Sequence, residues 1–240
     1  MKITIAQLYP RDMNRDGDWG NTLVLKKRLE RRGFEVEIID HNPGDSTDLS
    51  KIDIFVGGGG QDSGQTIIQN DLLARADELR QLAKDGVPML MICGMYQLFG
   101  RFFRTLKGEE IVGANILPIE TIAGDERMIG NIVIKSQEFG DIVGYENHSG
   151  QTFVDKTTKP LGQVIKGAGN NMTDANEGVR YNNIIATYLH GPILPKNPQI
   201  ADFLIGEALE RRGVSADSGL EKIDDTLANK AREIALKLSR

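Results

Sequence analysis

Short apolar runs alternate with helical stretches through the first part of the chain, and that rhythm restricts it to few folds. Lys2 to Leu8, with Ile3, Ile5 and Leu8, reads as a short buried strand. Asn21 to Arg32 carries Leu23, Val24, Leu25 and Leu29 at helical spacing, and Gly33 stands where a C-terminal cap is expected. Phe34 to Ile39 alternates apolar with acidic residues, and Ile52 to Val56 is a compact run with β-branched Ile52, Ile54 and Val56 that ends abruptly in Gly57 to Gly60. The spacing then predicts one long amphipathic helix over Gln65 to Lys84, striped by Leu72, Leu73, Ala76, Leu79, Leu82 and Ala83, and a buried strand over Val87 to Ile92. Strands joined by helices in this way form a mostly parallel sheet covered on both faces, with ligands at the carboxyl ends of the strands.

From Gly108 to Gly167 the runs shorten: Ile111 to Leu117, Ile129 to Lys135, Ile142 to Tyr145 and Gln163 to Ile165 predict an antiparallel or mixed extension. Ile184 to Leu189 resembles the earlier core strands and ends at His190, and Gln199 to Arg212 and Asp225 to Leu238 read as closing helices. Neither an internal repeat nor a low-complexity linker divides residues 1–240, so a single domain is expected. One cysteine forms no internal bridge, which points to a reducing cytoplasm. No stretch approaches the roughly 18 apolar residues of a membrane span. A net charge of -5, with both signs mixed along the chain, makes nucleic acid an unexpected partner. One cysteine and three separated histidines match no zinc spacing, so no metal site is expected.

Cys93 directly follows an apolar strand and precedes a helical stretch, Tyr96 to Phe103. A thiol at a helix N-terminus meets unpaired N–H groups and the positive end of the dipole, which favour a thiolate and suit a developing oxyanion. The competing reading is a buried structural cysteine, a common fate for the free thiol. A nucleophilic thiol needs a base, and only His41, His148 and His190 are available. His190 is best placed, because it also ends a buried strand and can emerge on the same sheet edge as Cys93. His148 sits in Glu146-Asn147-His148-Ser149-Gly150, and His41 precedes a turn at Asn42-Pro43-Gly44. The glycine run fits neither a phosphate loop nor a dinucleotide fingerprint, but it can bring a backbone N–H close to a substrate carbonyl. A tight turn with no ligand is the plainer reading of the same glycines.

Taken in order, Gly57-Gly58-Gly59-Gly60-Gln61-Asp62, Ile92-Cys93-Gly94-Met95-Tyr96-Gln97, Gly144-Tyr145-Glu146-Asn147-His148 and Thr187-Tyr188-Leu189-His190-Gly191-Pro192 resemble the cobyric-acid-synthase-like branch of class I glutamine amidotransferases. Asp18-Trp19-Gly20-Asn21 and the ten residues Tyr188 to Asn197 are similar, within that branch, to the glutaminase subunits of lipid II isoglutaminyl synthases. The resemblance implies a three-layer αβα sandwich with a flavodoxin-like, mixed but mostly parallel sheet. It also implies glutamine hydrolysis through a thioester on Cys93 with His190 as base, and no cofactor. Arg127 would hold the substrate carboxylate. A donor around Gly59 and the amide of Met95 would form the oxyanion hole. The implied partner is a Mur-ligase-like ATP-dependent subunit, MurT, in a heterodimer that amidates the lipid II stem peptide. Two departures stand out: Pro192 occupies the position two after the histidine where many relatives carry an acid, and Met91 and Met95 replace glycines flanking the cysteine pentapeptide. A cobyric-acid-synthase-type amidotransferase, a thiol hydrolase acting on another amide, and a non-catalytic αβα binding domain are the alternative readings.

Overall fold

The computed structural model describes residues 1–215 and 220–238. Six strands form the first sheet, in the order β11-β12-β4-β3-β1-β2. Five of them are parallel: β1 (Lys2–Leu8), β2 (Glu35–His41), β3 (Ile54–Gly57), β4 (Met89–Ile92) and β12 (Ile184–Thr187). The edge strand β11 (Val179–Tyr181) runs antiparallel to β12. All residues of β3, β4 and β12 are buried, as expected for continuous apolar runs covered on both faces. The covering helices fall into two groups. Helix α1 (Trp19–Arg31) packs on α5 (Pro198–Arg211), and α2 (Asp62–Ala74) packs on α3 (Ala76–Lys84) and α4 (Gly94–Phe99).

Three expected elements differ in detail. The long helix after the glycines is two, broken at Arg75, whose side chain turns away to donate to the Asp45 carbonyl at 2.9 Å. Tyr96 to Phe103 is not one helix, because α4 stops at Gly100 and Phe102–Arg104 (β5) starts a second sheet. Only Glu110–Val112 (β6) of the following run is a strand, since the amides of Ala114 and Ile116 instead satisfy the end of α4, at Leu98 O (2.7 Å) and Phe99 O (2.9 Å).

The antiparallel extension is a sheet of its own, ordered β10-β9-β7-β5-β6 with β8 paired to β7. Its body is a hairpin of two long strands, β7 (Ile119–Ser136) and β8 (Gly140–Val154), with β9 (Gly162–Lys166) and β10 (Asn176–Glu177) beyond. The register of the hairpin shifts between Ala123 and Met128, a bulge that throws Asp125, Glu126 and Arg127 outward. A last helix, α6 (Thr226–Lys237), buries no residue. No helix among the described residues is long and apolar enough to cross a membrane.

Candidate active site

The parallel pairing of β4 with β12 aligns Ile92 with Thr187, so Cys93 and His190 leave neighbouring strand ends on the same edge. The Cys93 N–H extends the ladder by donating to the Thr187 carbonyl at 2.9 Å. Cys93 then turns sharply, with φ 50° and ψ -103°, into α4. A residue with a side chain adopts such a backbone only when its surroundings force it, and strained turns of this kind concentrate at functional sites. Met91 and Met95, which depart from the flanking glycines of the resemblance, are accommodated from across the sheet. A Cβ on Gly57 would lie 2.8 Å from Met95 Cγ and 2.9 Å from Met91 Sδ, so this glycine leaves the space that the methionines fill.

His190 is held from three sides. Its backbone bridges to β8 of the second sheet, donating to the Tyr145 carbonyl at 2.8 Å and accepting from the Tyr145 N–H at 3.3 Å. Its Nδ1 lies 3.2 and 3.3 Å from the two carboxylate oxygens of Asp18, which is fully buried. A carboxylate only accepts, so Nδ1 carries the proton and Nε2 is left for Cys93. Burial works against a charged ring, yet the Cys93 sulfur and the Asp18 carboxylate outweigh it and hold the His190 pKa well above its ordinary value. A Cβ added to Gly59 would fall 2.8 Å from His190 Cε1 and 3.2 Å from Cys93 Cβ, so the glycine loop, the thiol and the imidazole converge on one point.

The two expected oxyanion donors are close by but engaged. The Gly59 N–H donates to Asp18 Oδ2 at 2.8 Å, and the Met95 N–H to the Gly58 carbonyl at 3.3 Å. The first amide of α4, that of Gly94, has no intrahelical acceptor available to it. Around these groups lies a cavity of about 420 Å³ lined by Cys93, His190, Gly59, Gln97, Arg127 and His148 among others, a size that suits a small-molecule substrate. Arg127 reaches it from the β7 bulge, where its Nε donates to Asn147 Oδ1 at 2.8 Å.

The other histidines have different settings. His148 is buried, stacked on Tyr188 with ring centroids 3.6 Å apart, and its Nδ1 donates to the Gly150 carbonyl at 2.8 Å. Burial pushes its pKa down to about 3, so it is neutral. His41 lies outside the cavity, at the end of β2, with Nε2 3.1 Å from Asp71. Behind the cavity a chain of polar groups runs from Gln65, which donates to Gln97 (2.8 Å), through Tyr188 (3.1 Å from Gln97) to Thr152 (2.6 Å). Gln97 and Tyr188 entered the sequence reading only inside matching segments and Gln65 only as the start of a helix, while Thr152 did not enter it, because polar groups that pair only in three dimensions carry no motif spacing. Asp18 entered it only as part of a matching loop.

Residues 4–198 match the model of the CobB/CobQ-like glutamine amidotransferase domain. The chain is 38% identical over 235 residues to the GatD subunit of lipid II isoglutaminyl synthase (glutamine-hydrolyzing) from Staphylococcus aureus, covering 98% of this chain and 95% of that one. It is also 38% identical to the Streptococcus pneumoniae GatD subunit, over 97% and 90% of the two chains. A cobyric acid synthase from Pelotomaculum thermopropionicum is 29% identical over 61% of this chain, but only 30% of its own length is covered. Among solved structures, a glutamine amidotransferase from Thermotoga maritima shares the fold with a TM-score of 0.56 at 12% identity, over 97% and 93% of the chains. This chain belongs to the CobB/CobQ-like glutamine amidotransferases and is a glutamine-hydrolysing enzyme of the class I αβα fold.

Proposed function

We propose that this chain is the glutaminase subunit of a lipid II isoglutaminyl synthase, with Cys93 as nucleophile and His190 as its base. The observation that carries the pathway is similarity over nearly the full length: both GatD relatives are covered over 90% or more of their chains, whereas the cobyric acid synthase is covered over 30% of its length. In the proposed reaction the Cys93 thiolate attacks the side-chain carbonyl carbon of glutamine, and the charge on its oxygen is met by the free amide at the start of α4. His190 gives its Nε2 proton to the departing nitrogen, so ammonia leaves and a glutamyl thioester remains. His190 then takes a proton from water, which attacks the thioester and releases glutamate and the thiol. Arg127 stands at the mouth to receive the substrate carboxylate through its guanidinium.

Ammonia so produced passes to a Mur-ligase-like ATP-dependent partner, MurT, which amidates the D-glutamate of the lipid II stem peptide. The heterodimer works in the cytoplasm, and residues 1–240 act as one glutaminase domain. The test is twofold. Purified protein should release glutamate from glutamine and lose that activity in Cys93→Ala and His190→Ala variants that keep their fold. Co-expression with the Mur-ligase-like protein should yield a stable complex that amidates lipid II with glutamine as nitrogen source. A Cys93→Ala enzyme with wild-type turnover sinks the chemistry, and failure to form any such complex sinks the pathway.

A further inference from the structure

The position two residues after the histidine, where many relatives carry an acid, holds Pro192 in this chain. An imidazole that serves a thiol needs its other nitrogen fixed, or the wrong tautomer and ring orientation compete. The structure offers that nitrogen a carboxylate from the far end of the sequence. Asp18 is separated from His190 by 172 positions, is fully buried, and has both oxygens within 3.3 Å of Nδ1.

The local setting of Asp18 makes the contact more informative. It occupies the N-cap position of α1, where aspartate ordinarily accepts a bond from the first turn, yet its side chain makes no capping bond. The carboxylate is directed away from its own helix, to His190 and to the Gly59 N–H. We propose that Asp18 is the positioning residue of this glutaminase, holding the His190 ring by Nδ1 with Nε2 toward Cys93 in place of the acid that Pro192 displaces. The proposal rests on the assignment of Cys93 and His190 above. The same oxygen that faces the ring anchors Gly59, so base and glycine loop share one support.

The charged and titratable groups around the ring are Cys93, Asp18, Asp16, whose Oδ2 lies 3.9 Å from Nδ1, and the neutral His148. Asp16 is the rival acid, but it is partly exposed and farther away. Asp18→Asn keeps the shape and an acceptor for Gly59 while removing the charge. Its expected effects on glutamine hydrolysis are a fall in kcat of about 10²-fold or more with KM little changed, and partial rescue by Asp18→Glu. The sign of the pH effect follows from the charge. Loss of the carboxylate lowers the His190 pKa, so the imidazolium is lost earlier and the alkaline limb of kcat/KM moves to lower pH, by about one unit or more. Alkylation of Cys93 by iodoacetamide across the same pH range gives the shift without substrate and serves any variant too slow to assay.

Asp16→Asn should move that limb less. A folded Asp18→Asn enzyme with kcat within threefold of wild type, or a kcat loss with the limb unmoved, overturns the proposal. So does a defect that vanishes once the ligase partner is bound, because the acid would then come from the partner. If His190→Ala retains turnover, it is the assignment of the base that falls, and the two failures are thereby told apart.

Discussion

Replacing Gly59 with alanine puts a methyl group where the site has no space for one. The new Cβ would lie 2.8 Å from His190 Cε1, 3.2 Å from Cys93 Cβ and 3.3 Å from Asp18 Oδ2, whereas ordinary contact begins near 3.4 Å. Relief therefore requires about 0.6 Å of movement at the ring, the difference between the first and last of those distances. The loop yields poorly, because the Gly59 N–H is held by Asp18 at 2.8 Å and its carbonyl accepts from the Arg15 N–H at 2.9 Å. The imidazole, carried on a longer lever, moves instead, and it moves away from the sulfur. Misplacing a reacting group by about half to one ångström costs on the order of 10- to 100-fold in rate, or roughly 1.4–2.7 kcal/mol in activation free energy. Overpacking costs on the order of 1–3 kcal/mol in stability, so a fold intact at assay temperature is expected, with a Tm lower by about 2–4 °C per kcal/mol. Glutamate release measured over a range of glutamine concentrations should show the loss in kcat rather than KM, and alkylation of Cys93 should slow in parallel. An alanine variant that keeps kcat within twofold, with a melting curve like wild type, would refute the convergence of thiol, ring and loop on which this reasoning stands.

Three further outcomes follow from named contacts. Arg127→Ala should raise KM for glutamine by about 10- to 100-fold, the worth of a charge-assisted bond, and leave kcat within a few-fold; a KM unchanged in steady-state assays would remove Arg127 from the site. Cys93→Gly should be more stable than Cys93→Ala by about 1 kcal/mol in chemical denaturation, because only glycine relaxes at φ 50°; equal stabilities would mean the turn stores no strain. Glu177 is fully buried, and burial holds its carboxyl up to about 7 against Thr187, Tyr188 and Gly178, which stabilise the charge. Below the unfolded carboxyl pKa both states are protonated, and between there and about 7 the unfolded chain alone ionises, so this group costs stability as pH rises through that window, on the order of 3 kcal/mol in full. Glu177→Gln should therefore gain stability over wild type between pH 4.5 and 7.5, read by urea unfolding at both pH values, and a constant difference would contradict the shift.

The first sheet was readable because its strands obey a simple rule: β3 and β4 are wholly apolar runs, and β12 departs from this only at Thr187. The second sheet was harder to read. On β7 and β8 the inward positions include Thr121, Glu146, His148 and Thr152, all buried, so the alternation that marks a half-buried strand is broken by polar residues that find partners only in three dimensions. The short runs expected there are apolar parts of longer strands: Ile129 to Lys135 lies near the end of β7, and Ile142 to Tyr145 near the start of β8. For the same reason the sequence does not show that Arg127 stands in a strand bulge, which only the pairing of the flanking residues on both sides of it reveals. Cys93 and His190 were legible because a strand end announces itself in sequence. Asp18 was not, because an aspartate before a helical run looks like an ordinary cap, and only the absence of the capping bond reveals its other use.

The proposed nucleophile, base and supporting acid come from three distant segments, so the site depends on strand register more than on any local motif. Ile92 pairs with Thr187 in the parallel ladder, and the backbone bridge from His190 to Tyr145 ties the same point to the second sheet. A slip of β12 by two residues would keep its side chains on their faces and lose little apolar burial, yet it would carry His190 about 6.6 Å from its place. Apolar packing alone therefore does not specify this spacing. The polar contacts do: Thr187 O on the Cys93 N–H, Glu177 on Thr187 Oγ1 and the Tyr188 N–H, and Asp18 on the ring each have a partner in one register only. The buried carboxyl of Glu177 is costly to hold at neutral pH, and its contacts lie within three residues of His190. A stability cost borne at that place is consistent with a group retained to fix register, which hydrophobic residues of similar volume at Glu177 in β10 and Thr187 in β12 would leave undetermined.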